Sequence, residues 1–479
     1  ESGVVMKRVV IALFIFTFIF LACTPSISSS IPAPTQNRPA TAAQTTIHAA
    51  TLLSTPTAIP SPVPDTLYVN PLHSLGPISR LIFGSNYGPW LVVSVDMLSA
   101  AYDSGVTILR FPAGSWGDHN NVETYQIDQF MAFAQKVGAM AIFQVRLLNG
   151  TPEQAAEMVR YTNIEKKYDV QYWAIGNEPT LFNDELKGRD ESYDVKRFNK
   201  EWREFALAMK AVDPTIKLVG PEVHQFSYAL ADTTNYDLSI ATDRQGRFWM
   251  DEFLRENGDL VDVVSFHRYP FPRTKASGYA SIDELRQNAL EWDKIIARLR
   301  EKIHEHTDRD IPIAVTEFNS DYSKSVGGEA TPDSHFNAIW LADVLGRMIK
   351  NGVFMANQWT LTSKGGYGGW GLVGNSDVYP AYYVYQLYKN FGNELVYSSS
   401  DDSDLSIYSA RREDGTLTVI VINLSLEGKT EAIRIDSKAQ VQAEAWLFDP
   451  THKAENMGKI DITNAVTILP QSVTLYIIQ

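Results

Sequence analysis

Between Arg80 and Phe391 short apolar runs alternate with amphipathic stretches, and this alternation leaves the chain few ways to fold. The apolar runs are Arg80 to Gly84, Val106 to Arg110, Ala139 to Val145, Val170 to Ile175, Ile216 to Val219, Val261 to Phe266, Ile311 to Thr316 and Val353 to Trp359. Val170 to Ile175 alternates poorly, as a strand buried on both faces does. The stretches between predict helices at Val93 to Tyr102, Gln126 to Val137, Pro152 to Tyr161, Asp194 to Val212, Arg247 to Glu256, Ile282 to Glu305, His335 to Lys350 and Ala381 to Phe391. Thr151 is a good N-cap, with Pro152 where a missing N–H costs nothing. Eight strand–helix pairs imply a parallel sheet with right-handed crossovers. Closed on itself, that sheet is a (β/α)8 TIM barrel, an α/β fold, here spanning residues 78–392.

After Gly392 the texture changes. Leu405 to Ala410, Leu417 to Asn423, Ala432 to Ile435 and Val473 to Ile478 predict short strands, with Glu413-Asp414-Gly415 as a turn. These make residues 393–479 an antiparallel β-sandwich. The region 65–77 precedes the barrel, and Thr66 to His73 is a candidate extra strand for it. A length of 479 residues suits a barrel with one small domain.

The N-terminal part reads differently. Glu1 to Val5 precede Met6, read as the start methionine. Met6-Lys7-Arg8 is a positive n-region and Val9 to Ala22 an apolar h-region, too short to span a bilayer comfortably. Residues 1–23 therefore predict a signal peptide. Residues 24–64 are rich in Ser, Thr, Pro and Ala and cannot bury enough surface to fold, so they predict an extended tether. The chain's one cysteine is Cys23, which excludes an intramolecular disulfide and a Cys-based zinc site. With 42 Lys+Arg against 56 Asp+Glu and no basic stripe, nucleic acid is not an expected partner.

Two of the apolar runs end in glutamate. Trp173-Ala174-Ile175-Gly176-Asn177-Glu178-Pro179 closes the fourth strand, and Ile311 to Thr316 leads into Glu317 at the end of the seventh. Catalytic groups of such barrels sit at the C-terminal ends of strands. Two glutamates there match the needs of a retaining glycosidase, one acid/base and one nucleophile flanking a sugar bond. The nucleophile must stay ionised, and its charge is expected to raise the pKa of the acid beside it. On the same rim stand Asn86, Tyr87 and Trp90 after strand one, Trp116 and Asp118 after strand two, and Glu222 and His224 after strand five. The glycine-rich loop from Gly365 to Gly371, with Tyr367 and Trp370, suits a subsite wall and lacks the Lys-Ser/Thr of a phosphate loop. His304-Glu305-His306 lies before strand seven, at the wrong end of the barrel for a zinc site serving the glutamates. No metal or other cofactor is expected.

Ile175-Gly176-Asn177-Glu178-Pro179 and Val315-Thr316-Glu317-Phe318 resemble the signature of the clan of retaining glycosidases on (β/α)8 barrels. The resemblance covers the chain from about Ile78 to its C-terminus. It implies Glu178 as acid/base, Glu317 as nucleophile and Asn177 on the sugar 2-hydroxyl. It implies that Arg110, in Leu109-Arg110-Phe111-Pro112, pairs with the nucleophile. His267 and Tyr269, in His267-Arg268-Tyr269-Pro270, would contact Glu317 or the sugar, and Trp359 would form the hydrophobic floor. Asn86, Trp116 and His224 complete the candidate substrate-binding set.

Within the clan, several families are similar. Leu109 to Gly114, Thr151 to Ala156 and Tyr161-Thr162-Asn163 resemble family 51 α-L-arabinofuranosidases. Gly176 to Pro179 is similar to the heparanase-like family 79 and to family 39 β-xylosidases. Ala211 to Pro214, Val219-Gly220-Pro221 and His267 to Pro270 are similar to family 44 endoglucanases. The expectation is a glycoside hydrolase acting on poly- or oligosaccharides. Phe20-Leu21-Ala22-Cys23 resembles a bacterial lipobox, which implies lipidation at Cys23 and a membrane anchor on an exported protein. The alternative is a sugar-binding surface lipoprotein without catalysis, whose mark would be a replaced carboxylate; both carboxylates are present.

Overall fold

The computed structural model describes residues 63–479 apart from 65, 184–187, 189, 227–240, 272–277, 364–367 and 437. Cys23, the signal peptide, the tether up to residue 62 and Tyr367 lie outside the described residues. No helix among the described residues is long and apolar enough to cross a membrane.

In chain order the first strand is β1 (Leu67–Pro77). The barrel strands follow as β2 (Gly84–Asn86), β3 (Ile108–Phe111), β4 (Met140–Val145), β5 (Tyr172–Ile175), β6 (Lys217–Val223), β7 (Val263–Arg268), β8 (Ile313–Phe318) and β9 (Met355–Gln358). They close in sequence order, each parallel to its neighbours, and β9 pairs back onto β2. Gly84 starts β2 because the backbones converge there: a Cβ would stand 2.4 Å from the Ala356 carbonyl.

The barrel interior has two layers. Leu81, Ile108, Ile142, Ala174, Val219, Val263, Ala314 and Met355 pack together at the N-terminal end. Two residues further on, the same face of the strands carries Arg110, Gln144, Ser265, Thr316 and Asn357, all buried. The other face packs outward, where Phe111, Phe143, Trp173, Leu218, Phe266 and Val315 meet the helices. Burial on both faces is why these strands read as near-continuous apolar runs.

Beyond the barrel, β10 (Glu394–Ser399), β11 (Leu405–Arg411), β12 (Leu417–Asn423), β14 (Ile433–Ile435), β15 (Gln442–Phe448), β16 (Lys453–Asp461) and β18 (Ser472–Ile478) form one sheet with β1. A two-stranded ribbon, β13 (Lys429–Glu431) with β17 (Val466–Ile468), accompanies it. In β12, Val419 and Val421 face a core private to this domain, while Ile420 and Ile422 join the core that surrounds the barrel.

The structure corrects three expectations. The region around Thr66 to His73 does not extend the barrel: β1 pairs antiparallel with β10 and parallel with β14. Arg80–Ile82 is a 3₁₀ turn, because Ser79 Oγ accepts from the Leu81 amide and winds the chain before the strand begins. The single long helix expected at Ile282 to Glu305 is two, Ile282–Asn288 and Glu291–His306. No glycine or proline marks that break; Asn288 accepts from the Trp340 indole of the helix His335–Lys350, a tertiary tie that local pattern does not show.

Candidate active site

The chain is bent sharply where β5 ends. Gly176 has φ 78° and Glu178 φ 49°, a left-handed conformation uncommon for a residue with a side chain. A 3₁₀ turn, Pro179–Leu181, follows at once. The Glu178 amide donates to the Glu222 carbonyl at 3.0 Å, and the Asn177 amide donates to Asp118 Oδ1 at 3.1 Å. The rim of β5 is thus tied to the segment after β3 and to the end of β6. Glu222 itself has φ 58°, and its amide donates to Ser265 Oγ.

Irregular pairing brings the second glutamate inward. The β7–β8 register slips between Phe266 and His267, and the β8–β9 register between Val315 and Phe318. Such a slip re-aims side chains, so Thr316 and Glu317 both reach the interior although they are adjacent.

One oxygen of Glu178, one of Glu317 and one nitrogen of His267 lie within 4.8 Å of one another. Glu178 and Glu317 keep 7% and 6% exposure while Glu222, Arg110 and His267 keep none, so the first pair is the one that meets solvent. Beneath it, Arg110 donates through Nη1 to Glu317 Oε2 at 3.3 Å and through Nη2 to Glu222 Oε2 at 2.6 Å. The Tyr269 hydroxyl donates to Glu317 Oε1 at 2.7 Å. His267 Nδ1 is 3.1 Å from Glu178 Oε1, and its Nε2 is 3.2 Å from Glu222 Oε2. His224 Nδ1 is 2.6 Å from the same Glu178 oxygen.

Burial pushes the Glu317 carboxyl above the usual carboxylate range; His267, Arg110 and the Tyr269 hydroxyl pull it down, and the charge of Glu178 adds to the rise. Two carboxylates this close oppose each other's ionisation. Burial also opposes ionisation of Glu222, yet Arg110, His267 and Thr316 outweigh it and hold that carboxyl at about 2. For His267 burial opposes the cation, and Glu317, Glu178 and Glu222 outweigh it, pushing the ring up to about 9.

Of the candidate substrate-binding residues, Asn86, Arg110, His267 and Tyr269 lie under the carboxylates, and the contacts implied for Arg110 and Tyr269 with Glu317 are present. Asn86 is fully buried; its Nδ2 donates to the Thr316 and Asn357 carbonyls and its Oδ1 accepts from Arg110. It therefore braces Arg110 and has no exposed surface. Arg110, His267 and Tyr269 are likewise buried and position the glutamates. Asn177 stands beside them, its Oδ1 accepting from Arg110 at 2.8 Å. Tyr87 faces outward onto Phe133 and Phe130. Trp359 is half-buried and packs on Trp90, ring centroids 5.5 Å apart, with Gly114 leaving room for its edge. Trp116 is half-buried on the short helix Gly114–His119, two residues before Asp118, outside the carboxylate cluster.

Glu222, weighed only as a rim residue in the sequence, is the centre of the buried network, and Thr316, whose hydroxyl donates to Glu222 Oε1 at 2.7 Å, was not singled out. The signal was present in Gly220-Pro221-Glu222, but the proline ends the apolar run while β6 continues through it to Val223. Tyr322 was also missed. It is 40% exposed, with its ring 5.6 Å from Tyr269 and 5.7 Å from His224. Near His306, Asp251 and Glu305 also approach one another, but the Lys302 ammonium sits between them at 2.7 and 2.9 Å and supplies the positive charge.

A closed eight-stranded barrel with an appended sheet and with glutamates at the ends of its fourth and seventh strands is the arrangement of the clan of (β/α)8 glycoside hydrolases. Residues 158–431, more than half of the chain, match glycosyl hydrolases family 39, and the chain belongs to that family. It is similar to an intracellular exo-α-(1→5)-L-arabinofuranosidase of Bifidobacterium longum, 24% identical over 355 residues, covering 62% of this chain and 59% of that protein. It is also similar to heparanase of Bos taurus, 24% identical over 322 residues, covering 62% of this chain and 53% of that protein. The chain thus spans less than two thirds of either relative's length. Among solved structures, an α-L-arabinofuranosidase from Thermotoga maritima in an arabinose complex shares the fold with TM-score 0.64 at 19% identity, over 86% of this chain and 99% of that one. A family 44 endoglucanase from Clostridium thermocellum does so with TM-score 0.66 at 17% identity, over 86% and 99%.

Proposed function

We propose that this chain is a retaining glycoside hydrolase acting on oligo- or polysaccharides, with Glu317 as nucleophile and Glu178 as acid/base. The observation that carries the reading is the approach of the two carboxylates to within 4.8 Å. Retaining enzymes hold their pair at about 5–5.5 Å, whereas inverting enzymes leave about 6.5–9.5 Å for a water. In the first step Glu317 attacks the anomeric carbon, the glycosidic bond breaks, and the Glu178 proton goes to the leaving oxygen. In the second, Glu178 takes a proton from water, the hydroxide adds to the anomeric carbon, and Glu317 leaves as carboxylate. Arg110 and Tyr269 hold Glu317 by both oxygens, which favours its ionised form before attack. Asn177 is the candidate for the sugar 2-hydroxyl, and Trp359 and Trp116 for apolar walls of the cleft.

Proton NMR of the first-formed product tests the reading: a retained anomer is expected, and an inverted one overturns Glu317 as nucleophile. Screening aryl α-L-arabinofuranoside, β-xyloside, β-glucoside, β-galactoside and β-glucuronide with soluble polysaccharides identifies the sugar. Similarity to an arabinofuranosidase and to heparanase supports including both pentosides and a uronide.

We further propose export and lipid anchoring through Cys23, a reading supported by the n-region, h-region and lipobox-like ending of the sequence. Cys23→Ser should move the protein out of the membrane fraction, and an unmodified Cys23 in the native host would overturn the anchor.

A further inference from the structure

Glu222 has no place in a two-carboxylate mechanism, yet it is the most deeply held acid at the site. Its Oε2 accepts from Arg110 at 2.6 Å and faces His267 Nε2 at 3.2 Å. Its Oε1 accepts from Thr316. Its backbone fixes Glu178, whose amide donates to the Glu222 carbonyl. A full charge with no exposure survives only where its partners are this complete.

The far side of the His267 ring explains what that charge does. Its Nδ1 is 3.1 Å from Glu178 and 3.9 Å from Glu317. The ring therefore stands between one carboxylate that never meets solvent and two that do. We propose that Glu222 is a positioning residue that keeps His267 doubly protonated, so that His267 serves as the counter-ion shared in turn by Glu317 and Glu178.

The charge count favours this arrangement, and it rests on the retaining mechanism proposed above. Before attack, Glu317 is ionised and Glu178 carries the proton. In the glycosyl-enzyme Glu317 is an ester and Glu178 is ionised. In both stages Arg110 and His267 balance Glu222 plus one further carboxylate. A neutral His267 would leave the buried cluster one negative charge in excess in both stages. A cation placed between the pair lets the charge pass from one glutamate to the other without loss of its partner, where a cation bound to Glu317 alone would favour the first stage only. Among the described residues, the charged groups acting on the ring are Glu178 from the end of β5, Glu222 from β6 and Glu317 from β8, with Arg110 from β3 sharing the Glu222 oxygen and His224 sharing the Glu178 oxygen. Burial of the ring opposes its charge, and the three carboxylates overcome that opposition.

The test is nitrogen-15 NMR of the histidine-labelled protein, in which ring nitrogens report protonation directly. In the wild-type chain His267 is expected to be doubly protonated at pH 7.5; a neutral ring there overturns the proposal without any variant. Glu222→Gln keeps the shape and removes the charge. It should lower the pH at which His267 titrates by about 1–3 units, the effect of one opposite charge at this range. The alkaline limb of kcat/KM should move down with it. Thr316→Val removes a hydrogen bond to Glu222 and leaves its charge, so it should leave His267 protonated at pH 7.5. A folded Glu222→Gln protein with an unmoved His267 titration overturns the role of Glu222. Absence of glycosidase activity in the wild type would sink the mechanism instead, and the NMR result separates the two failures.

Discussion

Ile108 and Arg110 stand two residues apart on one strand and face the same interior, as do Ala314 and Thr316 on another. The first of each pair belongs to an apolar plug at the N-terminal end of the barrel. The second belongs to a buried polar network that ends in Glu178, Glu222 and Glu317. The plug contributes by burial and carries no group that can react. The network takes Glu222, Arg110 and His267 wholly out of water, leaves Glu178 and Glu317 slightly exposed, and holds Glu178 and Glu222 in left-handed backbone. One end of the barrel is thus made for stability and the other carries strain and charge that serve chemistry.

Substitutions at the two ends should separate these contributions. Glu317→Ala should reduce kcat/KM by on the order of 10⁴-fold or more, about 5.5 kcal/mol of barrel-borne rate acceleration. It should not lower the melting temperature. The folded-state pKa of Glu317 is raised, so its ionised form costs stability above the unfolded pKa, and removal relieves that cost. A large fall in melting temperature would show that the network stabilises the fold after all. Ile142→Ala in the plug should do the reverse: a loss of roughly 2–5 kcal/mol in chemical denaturation, with kcat/KM changed by no more than a few-fold. A comparable loss of activity would break the division between the two ends.

The pH dependence of stability sharpens the same contrast. Glu222 at about 2 lies below its ordinary 4.5, so its contribution is full above 4.5 and is lost as pH falls toward 2. His267 at about 9 lies above its ordinary 6.5, so its contribution is full below 6.5 and is lost as pH rises to 9. Denaturation midpoints should decline in both windows. In Ile142→Ala both declines should persist from a lower plateau. In Glu222→Gln the acid decline should shrink, and the alkaline one should shift to lower pH.

The barrel was legible because its strands are apolar on both faces and its helices amphipathic, signals that are local and periodic. Glu178 and Glu317 were legible because each ends such a run. What lies beneath them was not. Glu222 follows a proline that closes the apolar pattern while β6 runs on to Val223. The register slips that turn Glu317 inward beside Thr316 depend on pairing with β7 and β9. Asn86 and Arg110 were placed on the correct rim, but exposure is set by neighbours far along the chain, and both prove buried. For β1, the sequence gives a strand but not its partner, and its register with β10 and β14 joins residues more than three hundred positions apart.

The smallest expected effects concern the aromatic rings at the mouth. Trp359→Ala should cost roughly 1–3 kcal/mol in kcat/KM, the scale of a buried aromatic surface. It is half-buried against Trp90, so some of the loss should appear as reduced stability. Tyr322 differs. It is 40% exposed, and its ring meets Tyr269 and His224 edge-on, at 88° and 66°, so it leans on the two residues that hold Glu317 and Glu178. An exposed ring in that place is suited to a sugar face. Tyr322→Ala should raise KM for oligosaccharides by about 2–10-fold, the value of one aromatic contact of 0.5–1.5 kcal/mol, with kcat and melting temperature nearly unchanged. Tyr322→Phe should restore the wild-type KM, because the ring and not the hydroxyl makes the contact. A fall in kcat at unchanged KM would instead assign Tyr322 to the positioning of His224 and Tyr269, and would extend the buried network one residue further toward solvent.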